Sequence, residues 1–130
     1  MRVRDKSPNQ NTTADSVALT VDVQPPTPDP SLWEVEPYDY WGGGADDYWA
    51  SMTAQAATDP SGVQYYFYCE EYPSEVPGEG FSSGWQPSNT WEVQVGMAGQ
   101  DLHFRVQARD TSLLYNETDW SSALSINPWP

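Results

Sequence analysis

Carboxylates, aromatic rings and a single histidine are the side chains of this 130-residue sequence that could do chemistry. His103 is the only histidine, and on an alternating strand it points outward, with no acidic or nucleophilic partner near it in sequence. A Ser/His/Asp triad needs all three groups within hydrogen-bond reach, so this pattern argues against nucleophilic catalysis. A zinc site needs more Cys and His than one of each. Paired carboxylates of the glycosidase kind exist by residue type, but no insertion is present to build a cleft. No enzymatic activity is therefore expected.

Calcium is the metal these carboxylates would suit, because it takes six to eight hard oxygen ligands, many of them loop carboxylates and carbonyls. Asp46 and Asp47 stand before one strand and Asp59 after it, too far apart along the strand to share an ion. No spacing matches an EF-hand, and ordinary solvated loop carboxylates account for these residues equally well. No cofactor is expected.

The aromatic residues are the other lead. Tyr38, Tyr40 and Trp41 cluster before Gly42-Gly43-Gly44, and Trp49, Tyr66 and Tyr68 point away from the core by parity. Flat rings beside carboxylates grip sugars by stacking and hydroxyl hydrogen bonds. The same rings suit a protein contact, where Tyr and Trp are enriched. Tyr66 and Tyr68 also suit plain packing against Arg105 as cross-strand neighbours. Two Asn-x-Thr sequons, at Asn11 and Asn116, are glycan acceptors in a secreted chain and good turn formers in any other. The lone Cys69 excludes an intrachain disulfide, and its inward parity makes it a core thiol.

The charge is unevenly placed. The chain holds 19 Asp+Glu against 5 Lys+Arg, a formal net charge of −14. Nucleic acid and anionic membrane surfaces would repel it, so neither is an expected partner. No apolar run approaches the roughly 18 residues of a membrane span, and no signal-peptide pattern is visible at the N-terminus. Aromatics at 14%, with 7 Trp, separate the chain from disordered acidic sequences, which are poor in them. From Gln24 to His103 there is no Lys or Arg against 13 Asp+Glu, so the acid sits in the middle and the bases near the ends.

A partial repeat explains the ends. At an offset of 105, Arg4-Asp5-Lys6-Ser7 meets Arg109-Asp110-Thr111-Ser112, and the match continues through Asn11/Asn116, Thr13/Thr118, Ser16/Ser121, Ala18/Ala123 and Leu19/Leu124. That is 8 identities over 18 ungapped positions. A period of this length fits one β-sandwich per repeat. Residues 1–23 read as the terminal strands of a preceding copy, residues 24–31 as a Pro-rich linker, residues 32–126 as one sandwich and residues 127–130 as the start of the next linker. Val17, Leu19, Val21 and Val23 share one face of the N-terminal strand pattern. Without its own sheet, such a strand is an association hazard and a candidate for strand addition to another subunit, head to tail into a filament.

Period-two alternation dominates and no helical period is convincing, which predicts an all-β antiparallel sandwich of about seven strands. The expected strands are Leu32 to Glu36, Asp47 to Ala57, Val63 to Glu70, Thr90 to Val95, Leu102 to Arg109 and Trp120 to Ile126. A long acidic loop is expected from Glu71 to Ser83, followed by Gly84-Trp85.

The strand order and the run Leu102-His103-Phe104-Arg105-Val106-Gln107-Ala108-Arg109-Asp110, with Trp120-Ser121 beyond it, resemble the fibronectin type III family. More narrowly, Thr58-Asp59-Pro60-Ser61-Gly62-Val63-Gln64-Tyr65-Tyr66-Phe67, Ser83-Gly84-Trp85-Gln86 and Arg4-Asp5-Lys6-Ser7-Pro8-Asn9-Gln10-Asn11 are similar to stretches of such modules in large secreted bacterial proteins. The resemblance covers roughly Pro28 to Ile126 plus the partial copy. It implies an immunoglobulin/fibronectin type III-like fold and says little of function, since that fold hosts many roles. Leu102 stands where the family usually has a corner tyrosine, so the corner hydrogen bond of that residue is expected to be missing. No Arg-Gly-Asp is present. The expected role is an extracellular or cell-surface spacer, adhesion module or fibre building block whose partners are copies of itself. The alternative is a carbohydrate-binding accessory module of a secreted polysaccharide-degrading enzyme.

Overall fold

The computed structural model describes residues 23–71, 81–96 and 99–128. Among them every regular element is a strand, in the order β1 (Trp33–Trp41), β2 (Tyr48–Ala54), β3 (Val63–Cys69), β4 (Phe81–Gln86), β5 (Thr90–Gln94), β6 (Leu102–Asp110) and β7 (Leu124–Ile126). One sheet runs β1-β2-β5 and the other β4-β3-β6-β7, with every neighbouring pair antiparallel. The described residues form an all-β sandwich of seven strands.

Alternation builds the core. Ala50, Met52 and Ala54 of β2 face Tyr65, Phe67 and Cys69 of β3 and Leu102, Phe104, Val106 and Ala108 of β6, all buried. β2 offers mostly small side chains, and large rings fill the space above them. Trp33 pairs with Ala54 from β1 and Trp91 with Met52 from β5. Both indoles lean over β2 onto Phe67, at 6.2 and 6.0 Å between ring centroids. Trp91 also meets Phe104 edge-on at 6.0 Å. Large rings at the sheet edges and alanines at its centre interdigitate as close packing requires.

Several boundaries differ from the sequence expectation, each for a local reason. β1 continues past Glu36 to Trp41, because an edge strand tolerates the missing N–H of Pro37; two register shifts between Trp33 and Tyr38 absorb the irregularity. β2 ends at Ala54 instead of Ala57, and Ala57 donates its N–H to the Tyr65 hydroxyl at 2.8 Å instead of to a strand. The expected loop stops short, since Phe81 to Ser83 belong to β4 against β3; of that loop, residues 72–80 lie outside the described set. The last strand begins at Leu124, not Trp120. Over residues 118–121 hydroxyls replace carbonyls as partners of β6: Ala108 N–H donates to Thr118 Oγ1 and Val106 N–H to Ser121 Oγ, both at 3.0 Å. That segment follows β6 without becoming a regular strand.

The described chain arrives at one pole of the sandwich and leaves at the other. Thr27 forms a β-bridge with Thr58, Asp119 N–H donates to Asp29 Oδ1 at 2.8 Å, and Pro26 is fully buried. The segment read as a linker therefore lies against the body at the Asp110 end of β6. At the Leu102 end, Asn127 Nδ2 donates to Asp101 Oδ1 at 3.2 Å and Pro128 is buried. The nine residues of β6 separate the poles by about 27 Å.

Candidate functional site

The outer face of the three-stranded sheet carries the exposed rings. Pairing places Tyr40, Trp49 and Gln94 in one row and Tyr38, Ser51 and Glu92 in the next. Ser51 is small and buried, so the rings stand over a shallow centre. Tyr38 and Tyr40 keep 48% and 36% of their surface and lie 6.3 Å apart, tilted by 39°. Asp47 Oδ1 accepts from Trp49 Nε1 at 2.7 Å and from Gln94 Nε2 at 3.2 Å, fixing the indole edge. The hairpin loop sets Asp47: Gly42 N–H donates to the Asp47 carbonyl at 2.6 Å, and a Cβ on Gly42 would collide with the Asp47 carboxylate. Partial burial, and then a hydrogen bond with Glu92, push the Tyr40 hydroxyl pKa above its ordinary value, so the phenol stays neutral. Trp41 lies beyond, 61% exposed, with Nε1 bonded to the Gly44 carbonyl at 2.7 Å. Among the described residues both arginines lie on the other sheet, so this face combines rings and carboxylates with no Lys or Arg.

The opposite outer face uses its aromatics differently. Arg109 stacks between Trp85 and Tyr115, at 4.3 Å from each ring centroid. Trp85 meets Tyr66 at 5.2 Å, Tyr66 meets Trp120 at 6.0 Å, and Arg105 lies 4.9 Å from Trp120 and 5.6 Å from Tyr68. The sequence Tyr115, Arg109, Trp85, Tyr66, Trp120, Arg105, Tyr68 is one continuous ladder of rings and guanidinium planes. Tyr66 and Tyr68 thus point outward, as parity requires, but are half-buried inside it. Tyr66 has rings on two sides and Tyr68 a ring and a guanidinium, which leaves them little open face for a ligand. The cation–π contacts stabilise the sheet by roughly 0.5–2 kcal/mol each.

The turn ahead of the ladder rests on a buried charge. Asp110 is fully buried and accepts four hydrogen bonds: from Ser112 N at 3.1 Å, Ser112 Oγ at 2.8 Å, Asn116 N at 2.9 Å and Asn116 Nδ2 at 2.8 Å. Burial pushes its carboxyl pKa up, but these bonds outweigh burial and hold it below the ordinary carboxylate value. The turn puts Tyr115 in the left-handed region, at φ 50°, with its ring on Arg109. Sequence reasoning gave Asp110 no role. The signal was in the repeat: Arg109, Asp110, Ser112, Asn116, Thr118 and Ser121 are all identities at the 105 offset, and all belong to this turn or to the hydroxyl contacts on β6.

The other candidates separate. His103 Nδ1 lies 2.6 Å from Glu71 Oε2, and His103 N–H donates to Glu71 Oε1 at 2.7 Å. That acidic partner comes from across the sheet, which sequence proximity could not reveal. The Glu71 hydrogen bond raises the His103 pKa, against a smaller lowering by burial. Cys69 is fully buried, and burial pushes its thiol up to about 12. Asp59 accepts from Ser61 N and Oγ within its own turn, at the opposite pole from Asp46 and Asp47. No group of three or more His, Cys, Asp or Glu among the described residues is placed to hold a metal ion. The Asn116 amide of the second sequon is bonded to Asp110. Asn11, Val17, Leu19 and Val21 lie outside the described residues, while Val23 is 63% exposed.

No protein-family model matches this chain, and no curated protein matches it at a significant level.

Proposed function

We propose that this chain is a non-catalytic, fibronectin type III-like repeat module of a secreted or surface protein, acting as a spacer or building block in an extended array or filament. The observation that carries this reading is the placement of the two connections at opposite poles, each held to the body by a buried proline. A module so arranged adds its full length to an array, because the joints are docked and cannot swing freely. Leu113, 95% exposed, and Leu114 stand at the first pole on the turn built by Asp110, where a neighbouring module would meet them. Addition of the 16–23 strand to an edge of another copy would extend the assembly further. Small-angle scattering on tandem chains of two and four modules tests the reading. The longest dimension should grow by at least about 27 Å per module, the length of one sandwich; a compact cluster whose dimension grows more slowly sinks it.

One observation favours a second reading, carbohydrate binding: Tyr38 and Tyr40 present open ring faces beside Glu92 and Gln94. Retention on insoluble polysaccharide, reduced by Trp41→Ala or Trp49→Ala, is its expected result, and no retention of the parent chain refutes it.

A further inference from the structure

We infer that the outer face of the β1-β2-β5 sheet, at Tyr38, Tyr40 and Trp49, is the docking site of this chain's own basic segment, Arg2-Val3-Arg4-Asp5-Lys6. Charge complementarity selects the occupant. The chain holds 5 Lys+Arg. Arg105 and Arg109 are consumed by the ladder on the other sheet. The remaining three are Arg2, Arg4 and Lys6. The face they would meet has Asp47 and Glu92 beside its rings, with Glu36 exposed along β1, and among the described residues it has no cation. Bringing the segment there offsets the negative charge of that face.

Spacing fits as well. Arg2, Arg4 and Lys6 alternate, so an extended segment presents all three on one side. Tyr38 and Tyr40 alternate in the same way on β1, an edge strand whose described pairing is with β2 alone. A strand laid along that edge sets its cations about 5 Å from the tyrosine side chains. The ladder shows the contact this would make, with guanidinium carbons 4.3 to 5.6 Å from ring centroids. Reach is ample. Val23 lies at the first pole, and the 17 residues from Lys6 to Val23 span up to about 56 Å when extended. The length of β2 to be crossed is only about 20 Å. Tethering supplies the segment at an effective concentration of order millimolar.

The inference goes beyond the spacer reading and concerns a chain whose residues 1–23 are not taken up by a neighbouring module. A spin label on Ser7→Cys in the isotope-labelled full chain tests it, since Cys69 is fully buried and stays unlabelled. At about 20 mM salt the Trp49 indole and the Tyr38–Trp41 amides should lose at least about half their intensity, and recover at about 0.5 M salt. The amides of Ser82 to Trp85, on the other sheet, should keep theirs. Arg2→Glu, Arg4→Glu and Lys6→Glu together should abolish the broadening, and Tyr38→Ser with Tyr40→Ser should weaken it. The inference is overturned by intact Trp49 and β1 signals at low salt, or by broadening that survives charge reversal. Equal broadening of an isotope-labelled chain without the spin label, on adding spin-labelled chain without isotope, assigns the face to a second copy, and shifts produced only by a gluco-oligosaccharide assign it to glycans; either result also overturns it.

Discussion

Removing the Asp110 carboxylate should be among the most damaging single changes to this sandwich. The group is fully buried and accepts four hydrogen bonds from Ser112 and Asn116. Bonds to an ionised acceptor contribute about 1.5–3 kcal/mol each in isolation, but four donors on one carboxylate are not additive. Asp110→Ala strands two backbone N–H groups, a hydroxyl and an amide at once. A loss of about 3–5 kcal/mol follows, as for other broken buried networks. At about 4 °C per kcal/mol for a body of this size, the melting temperature should fall by roughly 12–20 °C. Asp110→Asn keeps one acceptor of two and should lose about 2 kcal/mol. Urea unfolding followed by tryptophan fluorescence measures both. Asn116→Ala, alone and combined with Asp110→Ala, closes a double-mutant cycle whose coupling should exceed about 1 kcal/mol. The pH dependence adds a signature. The folded carboxyl pKa is lowered, so its stabilisation is present above the unfolded value and lost as pH falls through the folded one. Acid should therefore destabilise the parent more steeply than Asp110→Asn. If Asp110→Ala lies within about 1 kcal/mol of the parent, the turn is not held by this charge and the reasoning fails.

Glu71 and His103 carry the opposite sign. The folded His103 pKa is raised above 6.5, so its contribution is complete below that value and lost as pH rises through the folded one. The stability gap between the parent and Glu71→Gln should narrow as pH is raised through that range in chemical denaturation; a gap that widens refutes the pairing. Arg109→Lys keeps the charge but loses the planar stack on Trp85 and Tyr115, and should cost about 1 kcal/mol by urea unfolding. A variant as stable as the parent would show that the ladder contributes nothing there. Cys69 should resist a disulfide reagent in the folded chain and react at once in denaturant, because the thiol is buried and its pKa is pushed to about 12. Rapid native labelling would contradict the core position.

Much of the fold was legible because strand alternation is a local property. Parity separates buried from outward side chains along the whole of β6 and along β3 from Tyr65 to Cys69. Where regularity breaks, the sequence is less informative. Pro37 reads as a stop but sits within an edge strand, and Thr118 and Ser121 look like strand residues until their hydroxyls are seen bonding to β6.

The candidate faces divide along the same line. The sequence by itself determined, through parity, that Trp49, Tyr66 and Tyr68 point outward and Cys69 inward, and, through composition, that the acid lies in the middle of the chain. Tertiary structure alone decided which outward rings are open. Arg105 and Arg109 are far in sequence from Tyr68 and Trp85, yet antiparallel pairing sets them side by side and closes one face into a ladder. Among the described residues the other sheet carries no arginine, and Tyr38 and Tyr40 keep 48% and 36% of their surface exposed. The physical reason is that alternation requires only the residue and its neighbours, whereas a cation–π stack or a buried carboxylate requires partners that only the register of distant strands brings within reach.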